Sequence, residues 1–334
     1  MKMEPGAQNE DRARGAVRVP VCRRDALALC AVSLLGLTGC GTAKPSAQSK
    51  KSEDSAPVLH EKSASEQVSE PDRWGEETVS RVTSLTDPHG ASVSVAAVPL
   101  DRTTLAPGSG AIEISADTRR KSASIIKLFI LACALDEIAE GSLSLDETLV
   151  MTATNIVGGS GVIAGRGAGT AFSIDELLLQ MISQSDNTAA NMLIDRLGFE
   201  AVNAEAAKLG CPQTSLARKM MDTAAQARGV DNFTSANDAA TVLQKIAAGG
   251  IATPDLCARA REYLLAQTDA RGIVEGVPAG ISVAHKTGTL SDAQHDAAIV
   301  YAEQPFILVV LTEGLAREDA LSLERDIAAA LTLA

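Results

Sequence analysis

The sequence predicts an α+β protein in which strands from both ends of the folded region share one antiparallel sheet around a long helical middle. Three observations carry this. Val and Ala alternate with Ser from Ala91 to Leu100, the period-two pattern of a strand. From Ser124 to about Ala266 the apolar residues recur at helical spacing, as in Ile174-Leu177-Leu178-Met181-Ile182 and Ala239-Val242-Leu243-Ile246. Strand-like runs then return at Ile281 to Lys286, Ala297 to Ala302 and Phe306 to Thr312. Strands that flank a block of helices bury their apolar faces best in a common sheet, with the helices inserted as one unit.

In chain order, Glu76 to Leu85 has the pattern of a helix end, and Asp87-Pro88-His89-Gly90 is turn chemistry. A second strand is expected at Ala111 to Ser115. The apolar run Leu128 to Leu135 follows Ser124, and Ser173 to Ser183 forms another helix. Glu303-Gln304-Pro305 turns the chain between the last two strands, and a helix from Ala316 to about Leu333 closes it. A cleft where the sheet half meets the helical half is the usual place for a site.

Bulk properties narrow the function classes. The 334 residues are 46% apolar and 22% charged, ordinary for a globular protein, and only 2% aromatic, so the core rests on Ala, Leu, Ile and Val. A net charge of −12 and a pI near 4.9 argue against a nucleic-acid partner. The N-terminal region reads as targeting sequence. Arg23-Arg24 precede an apolar stretch from Ala26 to Leu37, too short to span a bilayer and suited to a signal-peptide core. It ends in Leu37-Thr38-Gly39-Cys40, which looks like a bacterial lipoprotein cleavage box. Residues 1–40 are therefore expected to be removed up to a lipidated Cys40, holding the protein at the extracytoplasmic face of the membrane. Residues 41–72 are rich in Ser, Lys, Glu, Ala and Pro and read as a disordered tether. The folded domain is expected over 73–334, with its helical subdomain at about 124–266. Cys133, Cys211 and Cys257 remain in it, enough for one disulfide at most. His60, His89, His285 and His295 are scattered, and no C-x-x-C or H-E-x-x-H occurs, so neither metal nor other cofactor is expected.

Three short motifs carry the chemistry. Ser124-x-x-Lys127 alone turns up by chance roughly once in a chain of this length, but Ser185-Asp186-Asn187 and Lys286-Thr287-Gly288 are each expected only about once in several thousand residues. If a helix starts at Ser124, residues three apart face the same side, so Lys127 can act on the Ser124 hydroxyl. Serine is a weak nucleophile without a base, and a lysine buried among Ile125, Ile126 and Leu128 has its ammonium form disfavoured. The plainer alternative is an N-capping serine with a solvated lysine. No G-x-S-x-G is present to support a Ser-His-Asp hydrolase.

The three motifs in this order resemble those of class A β-lactamases and penicillin-binding proteins. The resemblance covers 73–334 and implies the class A β-lactamase fold. It implies that Ser124 forms an acyl-enzyme with Lys127 as base, that Ser185 relays a proton to the leaving nitrogen, and that Asn187 binds the substrate amide. Asp186 would brace its loop. Lys286 and Thr287 would meet a substrate carboxylate, and Gly288 would allow close approach. Thr289 would share the oxyanion site with Ser124. One departure stands out. Where class A enzymes carry the glutamate that activates the deacylating water, this chain has Leu216-Ala217-Arg218-Lys219-Met220-Met221-Asp222. Asp222 is the nearest carboxylate, either as a substitute base or as a partner of Arg218. The implied substrates are β-lactams. A D,D-peptidase acting on cell-wall peptides and a non-catalytic penicillin-binding module are the alternatives.

Overall fold

The computed structural model describes residues 73–334. The expected signal peptide, the lipidation site at Cys40 and the tether lie outside the described residues. In chain order the elements are α1 (Glu76–Thr86), β1 (Val93–Pro99), β2 (Ile112–Ile114), β3 (Arg120–Lys121), a 3-10 turn (Ala123–Ile126), α2 (Lys127–Glu140), β4 (Thr148–Val150) and β5 (Ala171–Ser173). They continue with α3 (Ile174–Ser183), α4 (Asn187–Leu197), α5 (Phe199–Lys208), α6 (Thr223–Ala227), β6 (Phe233–Thr234), α7 (Ala236–Ala247) and α8 (Pro254–Leu265). The chain closes with α9 (Ile273–Gly276), β7 (Val283–Thr289), β8 (Ala293–Val300), β9 (Phe306–Glu313) and α10 (Arg317–Thr332).

Both ends of the domain build one five-stranded antiparallel sheet in the order β2-β1-β9-β8-β7. Its two faces are covered differently. Ala96, Ala284, Ala297, Ile299 and Val309 face the helical half, in one core with α2, α3, α4 and α7. Val95, Ala298, Val300 and Val310 face the other way, onto Trp74, Val82, Leu323 and Ile327 beside α1 and α10. Burial on both faces explains why most of β9 and the second half of β8, Ala297–Val300, are continuous apolar runs rather than alternating ones.

The run Leu128–Leu135 makes α2 the central helix, buried on every side. Each large side chain there contributes about 1.5–3 kcal/mol by leaving water, and Gly141 ends the helix in the left-handed conformation at φ 79°. Two features differ from the sequence reading. The helical middle also uses two short ribbons, β3 with β6 and β4 with β5, too brief to leave a period-two pattern. The helix does not start at Ser124: that residue sits in the tight turn, and α2 begins at Lys127. Cys133, Cys211 and Cys257 are all buried and unpaired, and burial pushes the Cys133 and Cys211 thiols up to about 12.

Candidate active site

The three motifs converge where the turn before α2, the start of α4 and the strand β7 meet. Lys127 is fully buried. Its Nζ lies 3.2 Å from Ser124 Oγ, 2.6 Å from the Ser185 carbonyl oxygen, 2.8 Å from Asn187 Oδ1 and 3.2 Å from Ser185 Oγ. Burial, then the nearby Lys286 charge, drives its pKa well below the ordinary lysine value, against the opposing pull of Asp186. A neutral amine has two protons and one lone pair. The Ser185 carbonyl and Asn187 Oδ1 take the two protons, which leaves the lone pair for the Ser124 hydroxyl.

Lys286 is the second fully buried lysine, lowered to about 7 by burial while Asp296 and Asp269 favour its charged form. It donates to Ser185 Oγ at 2.9 Å and to the Thr287 carbonyl at 2.7 Å. Ser185 Oγ thus stands between two amines and can pass a proton. Asp186 turns away from the cleft: its carboxylate caps α4 at Ala189 N–H and accepts the Val162 and Ile163 N–H groups at 2.6 and 2.9 Å. It braces the 158–163 loop, as the resemblance implies.

β7 runs through Gly288 to Thr289 rather than ending at Lys286. A Cβ on Gly288 would come within 3.2 Å of Ala123 Cβ, Ile125 Cγ1 and Ser124 N. The absent side chain therefore makes room for the nucleophile's own turn to press on the strand, a closer duty than the substrate approach expected of it. Ala123, Ser185 and Met221 hold positive φ angles of 46°, 51° and 61°. Such backbone costs of order 1–3 kcal/mol per residue and gathers at functional clefts.

Ser124, Ser160 and Thr289 border both of two adjoining cavities, of about 370 and 300 Å³. The larger is lined by Asn187, Arg218, Met220, Met221, Gln226 and Asn232, with no Asp or Glu among the described residues. The smaller is lined by Ser185, Thr287, Asp269, Arg271 and Arg317, among others. Asp222 borders neither. Its Oδ1 accepts the Ala225 N–H at 2.8 Å as the N-cap of α6. The pairing with Arg218 is corrected: Arg218 is held by Asp231 at 2.9 and 2.7 Å, and its backbone by Asn232. Met220 is buried in the cavity wall, its backbone clamped through both N–H and C=O by the amide of Asn191. Asn191 follows Asn187 by one helical turn, a spacing that could have marked it in the sequence. Asp231 and Asn232 gave no such signal. His285 and His295 are buried and structural, bonded to Asp296 and to the Lys121 carbonyl.

A serine-lysine pair beside a second serine, on a sheet with a helical insertion, defines the penicillin-recognising class of acyl-transfer enzymes. The family model described as the β-lactamase enzyme family matches residues 78–333, and the chain belongs to that family. A β-lactamase from Sphaerobacter thermophilus DSM 20745 is similar at 26% identity and a TM-score of 0.67, over 76% of this chain and 94% of that one. A mutant of PBP-A, solved as an acyl-enzyme complex with penicillin G, is 24% identical with a TM-score of 0.70, over 79% and 98%. A mutant class A β-lactamase of the last common ancestor of Gram-negative bacteria shares the fold at 24% identity and a TM-score of 0.67, over 77% and 98%. A comparison with curated proteins gives no match.

Proposed function

We propose that the protein is a serine enzyme that β-lactams acylate at Ser124 and that releases the acyl group slowly. The observation that carries this is the buried Lys127 amine, whose protons are engaged by Ser185 and Asn187 while its lone pair meets Ser124 Oγ. Lys127 takes the Ser124 proton as Oγ attacks the lactam carbonyl. The backbone N–H groups of Ser124 and Thr289 stabilise the oxyanion, Asn187 holds the substrate amide, and Lys286 with Thr287 meets its carboxylate. The C–N bond breaks as Ser185 delivers its proton to the departing nitrogen, drawing a replacement through Lys127. Slow release follows from the larger cavity, where Met220 stands and no carboxylate is present to activate water. General-base catalysis contributes roughly 10²–10⁴-fold, so its loss converts a transient adduct into a lasting one.

The same absence favours a second reading, a D,D-peptidase that passes cell-wall peptides through the same acyl-enzyme. A non-catalytic penicillin-binding module fits poorly with an intact serine-lysine pair. Intact mass followed over time after mixing with benzylpenicillin separates slow release, shared by the first two readings, from fast turnover and from no acylation; release of D-alanine from a cell-wall peptide marks the peptidase. A persistent adduct is expected; rapid gain and loss would mean an efficient lactamase, and no adduct would end the proposal. Ser124→Ala is expected to abolish labelling, and Lys127→Met to slow it by several orders of magnitude, as for members of a coupled unit.

Cys40 is proposed to carry diacylglycerol, since stable anchoring takes two acyl signals, which lipoprotein processing supplies. Cys40→Ala protein is then expected to leave the membrane fraction; its retention there would refute the anchor.

A further inference from the structure

On the face of the sheet turned away from Ser124, a second group of buried ionisable residues lies directly behind the Lys286 motif. Asp296 on β8 stands opposite Thr287 in the ladder and is fully buried. One of its oxygens lies 3.0 Å from His285 Nδ1 on β7, and the other accepts the Ile273 N–H at 3.1 Å. Glu324 on α10 reaches the same spot, fully buried, and neither of its carboxyl oxygens has a hydrogen-bond partner. A Cβ on Gly272 would lie 2.3 Å from Glu324 Oε2 and 2.8 Å from Asp296 Oδ2, so the two carboxyl groups face one another across that glycine.

Two ionised carboxylates cannot share a dry site at this separation. Asp296 has its donors: an imidazole N–H and a backbone N–H. Glu324 has neither, only a weaker pull toward ionisation from the Gln294 amide and Arg325, so the proton belongs on Glu324. Burial, then the Asp296 charge, pushes its pKa well above the usual carboxylate range, in the same direction.

We infer that Glu324 is held as a neutral acid and, with Asp296 and His285, forms a buried proton-holding cluster that positions the wall of the catalytic cleft. Three tethers leave the cluster. Asp296 holds Ile273 and so fixes the segment from Gln267 to Arg271, which lines the smaller cavity. Through His285 it grips β7 one residue before Lys286. Gln294, beside Glu324 on the same face of β8, accepts from Thr289 Oγ1 at 3.0 Å. The charged and titratable groups around Glu324 are Asp296 on β8, His285 and Lys286 on β7, Asp269 and Arg271 in the cleft segment, and Arg325 on its own helix. The carboxylates oppose its ionisation, while the Gln294 side chain and then Arg325 favour it. Ionising Glu324 places a second negative charge beside Asp296 and loosens these tethers, with no group touching substrate. Glu324, Asp296 and His285 are positioning residues.

The sign of the pH dependence follows. A carboxyl whose folded pKa is raised binds its proton more tightly folded than unfolded, so stability falls as pH rises above the ordinary Glu value of 4.5 and stops falling at the folded pKa. Glu324→Gln keeps the shape and neutrality and removes that loss. Its melting temperature relative to wild type is expected to climb as pH rises above the ordinary Glu value of 4.5. Parallel curves would overturn the inference. Infrared spectra of the wild-type protein in D₂O at neutral pH are expected to show a protonated carboxyl band that Glu324→Gln lacks; without a band in the wild type, the inference fails whether or not the variant folds. The positioning role rests on the acylation proposed above and is read separately. Benzylpenicillin acylation is expected to fall at alkaline pH in wild type and to fall less in Glu324→Gln, by about tenfold at the highest pH. Identical profiles would remove the positioning role while leaving the proton assignment to the other two measurements.

Discussion

His285 and Lys286 are neighbours on β7, and the two faces they serve handle buried charge in opposite ways. On the Ser124 face, two fully buried lysines are surrounded by acceptors, the Ser185 and Thr287 carbonyls and Asn187 Oδ1. Burial lowers both pKa values, so the amines can give and take protons where the cleft opens. On the α10 face, two buried carboxyl groups meet with donors for only one of them. That face is closed to substrate, and its proton takes no part in the proposed chemistry. Low dielectric alone does not make a catalytic group. The lysines become reactive because desolvation is combined with a full set of partners and access to substrate.

The largest break in this comparison comes from putting a carboxylate on the lysine face. Met220 lies in the wall of the cavity beside Ser124, its backbone fixed by Asn191. Met220→Glu introduces a water-activating group there without disturbing the clamp. The expected result is a penicillin adduct whose lifetime shortens by roughly 10²–10⁴-fold at an unchanged acylation rate. Stopped-flow acylation and timed mass spectra measure the two steps apart. An equally long-lived adduct would mean that Met220 does not mark the missing base.

A second test uses titration, since the two faces respond to pH with opposite sign. Lys286 falls from 10.5 to about 7 on folding, so between those values the unfolded chain holds the proton and the folded one does not. Its contribution to stability therefore rises with pH from about 7 to 10.5, whereas that of Glu324 falls above 4.5. Lys286→Met is expected to remove the alkaline rise: its melting temperature gains on wild type below pH 7 and loses that advantage by pH 10. A difference curve that stays flat would place the proton on Lys286 throughout.

The two faces were also unequally legible in the sequence. The lysine face announces itself because reaction chemistry fixes residue types at short spacings: Ser124 with Lys127, Ser185 with Asn187, Lys286 with Gly288. The sheet was legible through the alternation in β1 and the apolar runs of β8 and β9. The carboxylate face has no local pattern. His285, Asp296 and Glu324 come from three separate elements and meet only when α10 lies across β7 and β8, with Gly272 leaving the space between them. The loop after α5 misled for a similar reason. Asp222 is the carboxylate nearest to Arg218 along that stretch, but the chain returns through Asp231 and Asn232, which take the arginine and leave Asp222 to cap α6.

That cap gives the smallest effect and the last test of where a base is absent. Asp222 supplies one carboxylate oxygen to the Ala225 N–H and borders neither cavity around Ser124. An asparagine caps a helix about as well as an aspartate, and an alanine does not. Asp222→Asn is therefore expected to match wild type in melting temperature, acylation rate and adduct lifetime. Asp222→Ala is expected to lose roughly 1 kcal/mol of stability, within the usual 0.5–2 range for a lost cap, with the adduct lifetime unchanged. If Asp222 were the substitute base, the order would reverse: Asp222→Asn would keep its stability and lengthen the adduct lifetime by orders of magnitude. Thermal melts and timed mass spectra on the two variants separate a helix cap from a catalyst, because only the catalyst distinguishes a carboxylate from its amide.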